Sequence, residues 1–190
     1  MREYGELAAT VAAEWYESVH PGEYLAQTAR GTFPEAGVVE SVRYHAGALF
    51  TDDPASALTG LSGAMQRFVF YSGRNTVARN VQVDRSRPRF ARVTSGARTC
   101  AWCSLMASRG FVYLSRETAG INDHYHDSCD CMVVPEWDRD KAHIEGYDPG
   151  RLYEMYRAAR DAAPTASDKD IAAEMRRMFP GEFTDSVTAN

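Results

Sequence analysis

The sequence predicts an α+β protein, mainly α, in which amphipathic helices flank a small β-containing cysteine module. Three observations lead there. Apolar residues recur at spacings of three and four toward both ends of the chain. Short alternating apolar runs are confined to residues 88–137. All four cysteines fall between Cys100 and Cys131, as Cys100-Ala-Trp-Cys103 and Cys129-Asp-Cys131.

Taken in order, Tyr4, Leu7, Ala8, Val11, Ala12, Trp15, Tyr16 and Val19 form the apolar face of a first helix, which His20-Pro21-Gly22 ends. A shorter helical piece is expected over 23–29, before the breakers Gly31 and Pro34. Val38, Val39, Val42, His45, Ala46 and Leu49 mark a second helix. Asp53-Pro54 supplies a cap residue and a proline for the first helical position of a third, over 54–83, with a break expected near Gly73. After Arg87-Pro88 the period shortens. Residues 90–93, 111–114 and 132–134 read as strands, with one or two helical turns over 101–108 stopped by Gly110. Two helices follow, over 151–160 and 167–179, the second capped by Ser167, and a loose tail begins at Gly181. The expected organisation is a helical part over 1–87, the cysteine module over 88–137, and helices with a tail over 138–190.

The 190 residues, 44% hydrophobic and 25% charged, suit one domain with helical extensions, large enough to bury a core without cross-links. No leading run resembles a signal peptide and no apolar stretch nears 18 residues, which argues against secretion through a signal sequence and against membrane spanning. The expected setting is a reducing cytoplasm, where closely spaced thiols bind metal more often than they form bridges.

A net charge of −5 hides an asymmetry. Residues 67–98 carry eight arginines against the single acid Asp84, whereas residues 1–60 carry nine acids against three bases. Within the run, Arg74, Arg79, Arg85, Arg87 and Arg89 are candidates for contact with nucleic acid or an acidic partner. The plainer reading is a solvated run paired with the chain's own acidic ends. Few aromatic residues interleave these arginines, so any nucleic-acid contact is expected to be sequence-independent and weakened by salt.

A tetrahedral zinc takes four nitrogen or sulfur ligands, usually as two close pairs from separate segments. Cys100 and Cys103 make one pair; His124, His126, Cys129 and Cys131 offer more than the second requires. Three sets are chemically reasonable: all four cysteines, or Cys100 and Cys103 with His126 and either Cys129 or Cys131. Four thiolates, or three with His126, are preferred. No position is left over for a reactive water, so the expected cofactor is structural Zn2+. Rivals are weaker. A thioredoxin-like site leaves Cys129-Asp-Cys131 unexplained. A zinc deaminase needs His-x-Glu upstream of its cysteines, whereas the chain's His143-Ile-Glu145 lies downstream. A Cys103–His124 nucleophile, paired disulfides and bare thiols complete the alternatives.

Cys100-x-x-Cys103, then Arg109-Gly110-Phe111-Val-Tyr113, then His126-Asp-Ser-Cys129-Asp-Cys131 and Val133-Val-Pro135 resemble the C-terminal motif of Mu F-like minor head proteins of tailed bacteriophages. The actinobacteriophage branch is especially similar, over most of residues 1–137. The resemblance implies a virion protein without enzymatic activity, made in the host bacterial cytoplasm and placed near the portal or capsid interior. There it would assist head morphogenesis or DNA delivery. It implies as partners the portal and/or major capsid protein, with non-specific contact to packaged DNA and no membrane. Members of that family are commonly longer at the N-terminus, and some carry a fused protease or toxin domain, so the chain is expected to be a shortened or compact version. Two other classes compete: a zinc-braced nuclease, using His124 with Asp123 or Asp127, and a zinc-ribbon DNA-binding protein.

Overall fold

The computed structural model describes residues 1–29, 34–96, 98–114, 127, 129–138 and 144–185. Packing divides the chain into two compact units, Met1–Arg85 with Ser115–Cys129, and Ser86–Leu114 with Asp130–Asn190. Among the described residues the secondary structure is mainly helical with one two-stranded sheet, in line with the expected class. Among the described residues, no helix is long and apolar enough to cross a membrane.

The first unit is built on α1 (Arg2–Val19), α2 (Glu35–Ala46), which tightens into a 3-10 turn over Gly47–Phe50, and α3 (Ala55–Val83). Helix α1 does end at His20, but it buries a face other than the one its large residues mark. Gly5, Ala9, Ala13 and Tyr16 are inside, while Tyr4 is 63% exposed and Leu7, Val11 and Trp15 also face outward. Small residues allow α3 to come close: a Cβ on Gly73 would stand 3.4 Å from the Ala8 carbonyl oxygen. The expected break near Gly73 is therefore absent, and α3 runs unbroken because Gly73 serves close approach rather than a turn. Asp53 is not the side-chain cap that was expected; its backbone carbonyl accepts from Ser56 instead.

Residues 23–29 are not helical. Their backbone groups are taken up by side chains of α3. Asn80 Oδ1 accepts from Gln27 N at 2.9 Å, Asn80 Nδ2 donates to Gln27 O at 2.9 Å, and Thr76 Oγ1 accepts from Ala29 N at 3.0 Å. A segment whose donors and acceptors are met this way gains nothing from coiling.

The second unit pairs β1 (Arg89–Val93) with β2 (Met132–Glu136) in antiparallel register, Ala91 opposite Val134 and Arg92 opposite Val133. The strand expected over 111–114 reduces to one bridge, Tyr113 to Phe90. Helix α4 (Ala101–Ala107) packs Ala101, Leu105 and Met106 against α5 (Pro149–Ala162) and α6 (Asp168–Met178). Buried Met155, Ile171 and Met175 complete that core, each stabilising it by about 1.5–3 kcal/mol. Helix α6 starts as expected, Ser167 accepting from Asp170 N, whereas α5 begins two residues before the expected Arg151, with Asp148 accepting from Arg151 N and Pro149 at its first position.

Candidate metal centre

Helix α4 has only seven residues, too few to persist without help, and both of its ends are closed by side chains. At the start, Cys100 Sγ accepts from Cys103 N at 3.2 Å and Asp185 Oδ1 accepts from Ala101 N at 2.9 Å. At the finish, each of the last four carbonyls has a donor. Ser108 N serves Ser104 and Ser108 Oγ serves Leu105. Tyr113 Oη donates to Met106 O at 2.7 Å, and Tyr147 Oη to Ala107 O at 2.6 Å. Burial pushes the Tyr113 hydroxyl up to about 12 and raises that of Tyr147, so both stay protonated donors. Gly110, at φ +65°, turns the chain out of the helix. The outcome is a fixed seat for Cys103.

The opposing cysteines are held by the residue between them. Asp130 Oδ2 accepts from Gly96 N at 2.7 Å, its Oδ1 from Thr99 Oγ1 at 2.9 Å, and its backbone carbonyl from Ser95 Oγ at 2.7 Å. The loop that delivers Cys100 is thereby tied to the strand lead-in that delivers Cys131. Sequence reading passed over Asp130, although a carboxylate inside Cys-x-Cys beside Thr-rich loop residues was the available signal.

All four cysteines are buried and none is in a disulfide. The sulfurs of Cys103, Cys129 and Cys131 lie within 4.8 Å of one another. Cys103 Sγ and Cys131 Sγ are 3.5 Å apart, close to the roughly 3.8 Å between two thiolates on a tetrahedral zinc with bonds of about 2.3 Å. Cys100, the fourth thiol of the preferred set, is not within that group of three; its sulfur caps α4. His126 and His124 lie outside the described residues. Arg92 is fully buried, and its Nη2 donates to Cys131 Sγ at 2.9 Å and lies 3.7 Å from Cys103 Sγ. Buried soft donors beside a buried cation fit a thiolate-bound divalent metal, because such a cation favours the ionised sulfurs that a metal requires.

The candidate arginines divide. Arg74 is 1% exposed, with Nη2 donating to Cys129 O at 2.7 Å, so it has no surface to offer a nucleic acid. Arg79, Arg85 and Arg87 are exposed and Arg89 is half-buried. Arg79 also donates to the Gln27 side chain. Arg87 holds φ +53°, an uncommon conformation for a residue with a side chain. In the first unit, Asp127 is engaged by His45 at 2.8 Å and by Arg67 at 3.0 Å, at the edge of a cavity of about 450 Å³.

The model of the VG15 protein family matches residues 1–159, the whole cysteine module included. The chain belongs to the VG15 protein family. It is 29% identical over 174 residues to the Gene 15 protein of Mycobacterium phage D29, covering 70% of this chain and 63% of that protein. To the Gene 15 protein of Mycobacterium phage L5 it is 31% identical over 127 residues, covering 46% and 43%. The chain thus spans less than two thirds of the length of these curated relatives. No solved structure matches it significantly. VG15 members are phage proteins, and so is this chain.

Proposed function

We propose that this VG15 protein is a non-enzymatic minor head protein of Mu F-like type, carried in the virion near the portal or capsid interior and braced by one structural zinc ion. The observation that carries the reading is the gathering of Cys103, Cys129 and Cys131 around a common point, in a motif that resembles the Mu F-like one. Zinc, when bound, supplies a closed cross-link rather than reactive chemistry. Cys103 brings α4 to it, Cys129 and Cys131 bring the lead-in to β2, and Cys100 or His126 is left to complete four ligands. Asp130 orients the second pair.

Two surface features support an interaction role. Tyr4, Leu7, Val11 and Trp15 expose large apolar side chains along α1, of the kind that portal or major capsid subunits would cover. Exposed Arg79, Arg85 and Arg87, with half-buried Arg89, suit sequence-independent contact with packaged DNA. Two measurements test the proposal. Particles purified on a density gradient should contain the protein and yield it in complex with portal or capsid subunits; its absence from purified particles defeats the virion assignment. Elemental analysis of protein purified under reducing conditions should give one zinc per chain with the thiols protected from titration; a metal-free protein with reactive thiols defeats the zinc brace.

A further inference from the structure

We infer that Arg92 is the counter-charge of the metal centre, a positioning residue whose positive charge sets how tightly the cysteines hold their ion. The inference rests on the zinc reading above and names the group that regulates the same site.

Arg92 lies in β1 between buried Ala91 and Val93, and is itself 0% exposed. Arginine cannot shed its proton in a protein, so a positive charge is fixed in this interior. A buried cation is stabilised by negative charge and by hydrogen bonds made in good geometry. The guanidinium points at sulfur: 2.9 Å to Cys131 Sγ and 3.7 Å to Cys103 Sγ. Neutral thiols are weak acceptors and offer it little. Thiolates bound to a divalent ion offer a full charge. Three thiolates and one divalent cation leave one net negative charge, and four thiolates leave two, so either set gives the guanidinium a charge to pair with. The arrangement therefore makes metal hold and guanidinium mutually dependent. The N–H···S contact also draws charge from sulfur atoms that would otherwise be open to attack by oxidants or competing metals.

Zinc affinity is measured by competition with a chromophoric chelator, and the sulfur-to-cobalt charge-transfer bands are recorded after replacement by Co2+. Both are done on the full chain and on Arg92→Met and Arg92→Lys. The unsubstituted chain should bind one equivalent. Arg92→Met should bind about 10–100-fold more weakly, the range seen when groups orienting metal ligands are removed, with displaced charge-transfer bands and faster thiol modification. Arg92→Lys, which keeps the charge, should recover most of the affinity. Arg92→Met with unchanged affinity and bands overturns the inference and leaves the zinc reading standing. An unsubstituted chain that binds neither ion overturns the zinc reading, and the inference with it. If Arg92→Met fails to fold by circular dichroism, Arg92→Lys decides: affinity within about threefold of the parent supports a charge role, and a loss of tenfold or more overturns it.

Discussion

The imidazole of His45 occupies the place where a side chain on residue 60 would begin: a Cβ built on Gly60 would stand 2.1 Å from His45 Nδ1 and 2.7 Å from its Cγ. Helix α3 thus yields space on one turn so that His45, from α2, can reach Asp127 at 2.8 Å. Alanine is the better helix former by about 1 kcal/mol, but the contact involves the ring's root as well as its edge, and no small shift relieves it. Gly60→Ala is expected to destabilise the protein by about 1–3 kcal/mol through overpacking. Urea unfolding of Gly60→Ala, His45→Ala and the double variant checks this. The double variant should recover much of the loss, and strict additivity would show that the two positions do not share the space.

At the ends of α1 and α3, Tyr16 Oη donates to Asp84 Oδ2 at 2.9 Å while His20 Nε2 lies 3.1 Å from the same oxygen. Burial, with the Asp84 carboxylate next in weight, keeps the Tyr16 hydroxyl protonated across the accessible pH range. Tyr16→Phe removes the donor and leaves the buried carboxylate short of one bond, at an expected cost of about 1–3 kcal/mol. Chemical denaturation reads the loss; a change below 0.5 kcal/mol would mean that Asp84 is satisfied without it.

Asp185 links the start of α4 to α6, accepting from Ala101 N and from Arg176 Nε, each at 2.9 Å. Burial opposes its ionisation, but Arg176 and the Ala101 amide outweigh that and hold its carboxyl below the usual aspartate value of 3.8. A group depressed in the folded state adds stability that is complete above the unfolded value and is lost as pH falls through the folded one. Unfolding free energy should therefore drop on acidification below about pH 4, and Asp185→Asn should flatten that limb. Parallel limbs for parent and variant would assign the acid sensitivity elsewhere.

Ser167 caps α6 by accepting from Asp170 N at 3.1 Å. Ser167→Ala is expected to cost about 1 kcal/mol, and Ser167→Asp to restore most of it. Thermal unfolding followed by circular dichroism reads both.

A head protein should leave supercoiled plasmid intact in magnesium or manganese. Cleavage by the parent chain that His124→Ala abolishes would replace the structural reading with a nuclease.

The long elements were legible because they carry local signals. Apolar spacing gave α1 and α3, Ser167 opened α6, and Gly110 closed α4. What escaped was decided by distant partners. The large residues of α1 suggested its inner face, yet close helix approach selected Gly5, Ala9 and Ala13. Residues 23–29 lost their helix to Thr76 and Asn80, whose roles no local window contains. In the candidate site the cysteines declared themselves by spacing. Arg92 and Arg74 did not, since a buried arginine looks the same in sequence as the solvated ones around it. Tyr113 and Tyr147 likewise show their use only once the strands and α4 are in place.

The complete pairing of α4's terminal carbonyls has a kinetic corollary. A helix of this length ordinarily frays from its tips, so its amide protons exchange with solvent in well under a second. Here the tips are fastened by Asp185, Tyr113 and Tyr147, and unwinding one turn requires all of those fasteners to let go together. Deuterium uptake across residues 103–108 should track cooperative opening of the surrounding unit, making this short helix one of the slowest-labelling parts of the molecule.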